Sequence, residues 1–185
     1  MNNLIRNKVN NGFSLVELLL VLAIIAALSV TAFYIYTKVK LAQTVEVETQ
    51  NISNIRAELL RLYSASNDIT TINNTVAINA GIFPDSMLVK KSGQATTVLN
   101  SLKGKVTVSA TNFVSYGKVY FNISYEGLTP DVCTKLSTAV QPAMKMVLIN
   151  GNYVKSDLID IKWDLNKAID ACNSIKNPTM TISFN

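Results

Sequence analysis

The sequence contains no histidine. Imidazole-based nucleophile systems, His-ligated zinc and the usual haem ligation are therefore excluded. Only two cysteines are present, Cys133 and Cys172, too few for a four-thiolate metal site. Charge is sparse: Asp, Glu, Lys and Arg make up 16% of the chain, against roughly a quarter in soluble domains. Proline and glycine are both missing from Phe13 to Ala80. A helix through that stretch meets no intrinsic breaker. What the chain has instead is apolar content, 49% of its 185 residues. The length allows one ordinary domain, or a smaller one with an anchor.

The apolar excess is concentrated near the start. Leu18 to Tyr36 is a run without a single charge. As a helix it covers about 28 Å, close to the hydrocarbon thickness of a bilayer. Its only polar members are Ser29, Thr31, Tyr34 and Tyr36, and the tyrosines fall where an interfacial aromatic belt would lie. Ahead of it, residues 1–12 carry Arg6 and Lys8 and no acid. Such a leader holds the first end in the cytoplasm and places the remainder outside it. No small-residue cleavage pattern follows Tyr36, so the run is expected to be retained rather than removed. Glu17 stands at its head. An unpaired carboxylate within hydrocarbon costs about 2.5–3.5 kcal/mol or more, so this acid calls for a partner.

Beyond the run, apolar residues recur at Leu41, Val45, Ile52, Ile55, Leu59 and Leu62, a helical stripe. Lys40, Gln43, Glu46, Thr49, Asn54, Arg56, Glu58 and Arg61 occupy the other side. One helix is predicted from about Ser14 to Tyr63, about 75 Å long. Its first half is apolar all round, and its second half should cover a sheet.

Gly12-Phe13-Ser14-Leu15-Val16-Glu17, after a short basic leader and before an apolar run, resembles the signal of type IV prepilins. That family includes type IV pilins, type II secretion pseudopilins and competence pilins. The resemblance implies cleavage after Gly12 by a prepilin peptidase/methyltransferase, with N-methylation of the new amine on Phe13. It implies that Glu17 pairs with the terminal amine of a neighbouring subunit during assembly. Each charge is costly alone in the membrane, and together they neutralise. The implied partners are other pilin subunits in a helical homopolymer, the inner-membrane assembly machinery and, before assembly, the membrane itself. The implied location is the bacterial inner membrane, with the first end cytoplasmic and the head periplasmic, then an extracellular pilus. The implied organisation is a leader at 1–12, a long helix at 13–63 whose 13–36 part spans the membrane or fills the filament core, and a globular head at 64–185. Many pilins carry a proline in the apolar half; this chain does not.

The head reads as α+β with an antiparallel sheet. Thr75 to Ala80 is predicted as a short helix ended by Gly81, followed by a turn at Ile82-Phe83-Pro84-Asp85. Lys105–Ala110 and Lys118–Tyr125 are strand candidates. Thr129-Pro130-Asp131 opens a helix presenting Cys133, Leu136 and Val140 on one face, and Pro142 limits it. Asn150-Gly151 signals a hairpin between Lys145–Ile149 and Tyr153–Lys155. Ile159, Ile161 and Trp163 alternate like a further strand. Asp164 can cap a helix over Leu165–Asn173, and Thr179–Phe184 closes as a strand. The segments Asn74–Gly81, Pro84–Met87, Leu128–Cys133 and Ala168–Cys172 resemble type IVb pilins, the PilS-like ones among them. In that group the last strand enters the sheet centrally, and a Cys133–Cys172 bridge would bound the carboxyl-terminal region. Two thiols in one extracytoplasmic domain usually pair. Two unrelated buried cysteines are the alternative. A phenylalanine start resembles type IVa.

No cofactor and no catalytic residue is expected, and the role read from these residues is structural: a type IV pilus subunit serving adherence, aggregation or conjugation. Formal charge is +5, and no basic run interleaved with aromatics supports nucleic-acid binding. Asp157, Asp160 and Asp164 lack the spacing of a calcium loop. The rival readings are a minor pilin or type II secretion pseudopilin, and a single-span membrane-anchored binding protein.

Overall fold

The computed structural model describes residues 14–64, 69–91, 93–113 and 117–185. Gly12 and Phe13 lie outside them. The chain separates into two compact units, one ending at Lys40 and the other running from Leu41 to Asn185.

Helix α1 covers Leu15–Tyr63, as the absence of breakers predicts. Within the second unit it buries Ile52, Ile55 and Leu59, with Leu41 and Val45 partly covered. The stripe departs from prediction at its end. Leu62 is 44% exposed, and Tyr63 takes its place, its ring tilted against Phe121 at 5.4 Å between centroids. The reason is rotation: Tyr63 lies four residues past Leu59 and falls closer to the buried line. Arg56, assigned by sequence to the polar side, sits with its guanidinium 5.6 Å from the Phe184 ring.

The second unit holds a five-stranded antiparallel sheet of order β3-β4-β7-β5-β6. Its strands are β3 (Val106–Phe113), β4 (Lys118–Tyr125), β5 (Met146–Ile149), β6 (Asn152–Ser156) and β7 (Met180–Phe184). The last strand to be made is central, bonded to β4 and β5. One face carries Val108, Phe121, Ile123, Val147, Ile182 and Phe184 into the core beneath α1. A separate hairpin, β1 (Leu88–Lys91) with β2 (Gln94–Val98), was not predicted. Its strands are short and show no clear apolar alternation, so the sequence offers little periodic signal. Helix α2 covers Asn74–Asn79, α3 Pro130–Val140 and α4 Leu165–Asn173. Thr129 and Asp164 cap α3 and α4 through their side chains, as predicted.

The predicted strand through Ile159, Ile161 and Trp163 does not form. Residues 157–160 reverse the chain instead, with Asp160 at φ +50°, and Ser156 and Ile161 exchange both backbone hydrogen bonds at 2.8 Å. Ile159 is 47% exposed while Trp163 packs against the core, so the three do not share one buried face.

Turns are tied by asparagine amides. Asn150 and Gly151 have φ +51° and +80°, as a two-residue type I′ turn requires. Asn150 also accepts from Thr179 N and donates to the Ala171 carbonyl, fastening the start of β7 and the end of α4. Asn100 accepts from Leu102 N and Gly104 N and donates to the Glu126 carbonyl, each at 2.9 Å. A Cβ on Gly104 would lie 1.7 Å from the Glu126 oxygen, so only glycine fits.

Glu48 is fully buried, one turn before Ile52. Its carboxylate accepts from the Ser101 N–H at 2.6 Å, from the Ser101 hydroxyl, and from the Asn51 amide at 3.3 Å. These bonds tie the 99–105 turn to α1. Tyr125 makes no well-formed hydrogen bond with its phenol oxygen. Burial first, and then the charge of Glu48, hold that phenol well above its ordinary value of 10.0. In the unfolded chain the phenol ionises near the ordinary value, while the folded state keeps it neutral. This contribution to stability is therefore complete below pH 10 and is lost as pH rises toward the folded value, at about 1.4 kcal/mol per pH unit. Tyr125→Phe should flatten the alkaline fall in stability measured by denaturant titration at several pH values; an unchanged slope would refute the assignment.

Candidate functional site

The first unit presents its apolar side chains outward on every side. Leu15, Val16, Leu18, Leu19, Leu20, Leu22, Ile24 and Ile25 are all exposed, as are Phe33 and Tyr36. Water would not tolerate so large a continuous apolar surface without a cover. Among the described residues, α1 is the one helix long and apolar enough to cross a membrane.

Its few polar groups are handled within the helix. Ser29 Oγ donates to the Ile25 carbonyl at 2.8 Å, and Thr31 Oγ1 donates to the Ala27 carbonyl at 3.0 Å. Both hydroxyls are thus satisfied without water, which is the condition hydrocarbon imposes. Thr37 Oγ1 donates to the Tyr34 carbonyl at 3.0 Å. Lys38 Nζ lies 4.4 Å from the Tyr34 ring centre, a cation over an aromatic face at the end of the run. Such pairs of cation and aromatic ring are common where an apolar medium meets a polar one.

Glu17 breaks the pattern. It stands in the first turn of α1, exposed among Leu15, Val16, Leu18 and Leu19, and has no hydrogen-bond or ion-pair partner among the described residues. The helix N-terminus offers it partial positive charge, worth about 0.3–1 kcal/mol. That is well short of what a carboxylate loses in hydrocarbon. Among the described residues the site is therefore chemically incomplete, and a cation is the group that would complete it.

Cys133 and Cys172 are joined in a disulfide, both buried, linking α3 to α4. Asp157, Asp160 and Asp164 are not gathered round a common point: Asp157 faces Lys145 at 3.4 Å, and Asp164 caps α4. No cluster of three metal-ligating side chains occurs among the described residues.

Sequence reading missed Glu48, Asn51 and Asn100 as structural nodes. A signal for Glu48 was there: the stripe steps seven residues from Val45 to Ile52, and Glu48 occupies the skipped position.

A family model described as PilS N terminal matches residues 42–185. One described as the prokaryotic N-terminal methylation motif matches residues 7–33, the segment containing Gly12, Phe13 and Glu17. The crystal structure of TcpA, a type IV pilin from Vibrio cholerae El Tor biotype, has a similar fold, with a TM-score of 0.52 at 16% identity. The match covers 77% of this chain and 99% of that one. No curated protein sequence matches the chain.

Cutting the bridge should loosen the second unit. With the cysteines 39 positions apart in sequence, the chain-entropy model assigns the bridge about 4 kcal/mol. The Cys133→Ser/Cys172→Ser double variant should unfold at a lower denaturant midpoint than the oxidised protein; equal midpoints would show that the bridge does not stabilise the fold.

Proposed function

We propose that the chain, which belongs to the PilS family and is a type IV pilin, is assembled as a repeating structural subunit of a type IVb pilus. The observation that carries this reading is the exposed apolar surface of α1 from Leu15, headed by an acid without a partner among the described residues. In this reading the leader at 1–12 is removed after Gly12, and the new amine on Phe13 is methylated. The 13–36 segment first spans the inner membrane, with the head of residues 64–185 on the periplasmic side. Extraction then buries that surface against other copies, and hydrophobic burial holds it there. A heterologous contact repeated without closure gives a helical filament.

Processing at Gly12 creates a cation. Glu17 lies four residues beyond Phe13, one helical turn along, and would meet the amine of a neighbouring copy. Such a pair serves register more than stability, because removing either member strands a charge in an apolar medium. The apolar run forms without Glu17's help, because α1 is helical through its own hydrogen bonds. The acid is therefore free to act between chains. Adherence, aggregation or conjugation is the use proposed for the filament, with the peptidase and the inner-membrane machinery as transient partners.

Two measurements test this. Mass spectrometry of the membrane-extracted protein should find a chain beginning at methylated Phe13; a chain retaining Met1 or Asn2 would support a single-span anchored protein instead. The Glu17→Val variant should still be cleaved, yet yield far fewer sheared filaments than the parent. Normal filament yield in that variant would remove Glu17 from assembly.

A further inference from the structure

The five-stranded sheet has a second face, opposite the one that carries Phe121, Ile182 and Phe184. On a solvated sheet face polar side chains normally stand in water. Here Asn122 is only 9% exposed and Ser183 only 2%. They form the floor of a cavity of about 240 Å³, together with Thr111, and Phe113, Leu148 and Tyr153 also line it. The strand order explains how these residues meet. Asn122 on β4 sits opposite Ser183 on β7, Leu148 on β5 sits opposite Tyr153 on β6, and β3 brings Thr111 and Phe113 from the far edge.

The floor is a hydrogen-bonded chain. Ser183 Oγ donates to Asn122 Oδ1 at 2.6 Å, and Asn122 Nδ2 donates to Thr111 Oγ1 at 2.6 Å. This orders the amide and leaves capacity unspent. A primary amide can make four hydrogen bonds, and the Thr111 hydroxyl proton is not used in this chain. The lining thus combines a rigid uncharged donor-acceptor set with aromatic and aliphatic side chains.

That combination selects a ligand class. Among the described residues no charged side chain lines the cavity, so an anion or cation would lose hydration without gaining a counter-charge. A purely apolar guest would leave the amide and hydroxyl capacity unmet. A neutral sugar ring suits both parts: its hydroxyls match the floor, and its C–H face matches an aromatic ring. The volume lies below the roughly 300–1,000 Å³ of drug-sized sites, which fits one ring rather than a longer oligosaccharide. We propose that this cavity binds a single neutral sugar ring, free or at the end of a glycan. The inference is independent of filament assembly.

Saturation-transfer NMR on the full chain tests it, in a detergent without a sugar headgroup. The probes are neutral hexoses and their methyl glycosides. Saturable transfer to at least one probe is expected. Thr111→Val and Asn122→Ala should each weaken binding about tenfold, the effect of losing one well-placed hydrogen bond. Thr111→Ser, which keeps the hydroxyl, should bind like the parent. Phe113→Ala leaves the polar floor intact and should also weaken binding, which keeps the test decisive if Asn122→Ala fails to fold. Equal binding of a hexose and its methyl glycoside points to a glycan end; binding of the free hexose alone points to a soluble sugar. The proposal is overturned if no probe saturates, or if binding survives unchanged in both floor variants. It is equally overturned if the Asn122 amide responds only to rising protein concentration, because a second copy would then occupy the cavity.

Discussion

Backbone hydrogen bonding within α1 is the constraint on which the rest depends. A single helix from Leu15 to Tyr63 serves in two different surroundings. Its first part exposes apolar side chains all round, where a lipid or protein cover is required. Its later part buries Ile52, Ile55 and Leu59 in a protein core. Only a structure that satisfies its own N–H and C=O groups can do both without a break. The lack of proline and glycine from Phe13 to Ala80 allows that continuity. Ser29 and Thr31 extend the same logic to side chains by bonding back to the preceding turn.

Two acids on this helix show how surroundings decide a carboxylate's role. Glu48 is buried and has three donors, from Ser101 and Asn51, so it is consumed by the fold. Glu17 is exposed and has none among the described residues. The first is a structural tie; the second serves no such tie among the described residues. In this pilin the proposed contact between copies rests on that difference.

The second unit is assembled by long-range closure. β7 is the last strand in sequence and the middle strand in space, so the sheet cannot be complete until the chain is. Asn150 and Asn100 hold turns against segments far away in sequence, which fixes register where the strands are short. The disulfide links α3 to α4 in the same region.

Much of this was legible in the residues. The helix, the caps at Thr129 and Asp164, the Asn150-Gly151 turn and the strand over Lys118–Tyr125 follow from local rules of periodicity, capping and turn chemistry. The Gly12–Glu17 motif, the apolar run and their order are sequence properties, and they pointed to the family before any contact was known. Elsewhere local signals misled or were silent. Ile159 and Ile161 alternate like a strand, yet the chain turns there because Ser156 and Ile161 bond to each other. Lys90 and Lys91 give no local strand signal, yet both lie in β1. Glu48 became a tie only because the 99–105 turn packs on α1, and Asn122 lines a cavity only because five strands meet in one order. The sequence by itself determined the helix, its charges and its motif, since those depend on neighbours a few residues apart. Tertiary structure alone decided which polar groups are buried and what faces them, because that depends on partners brought together from 26 to 61 residues away.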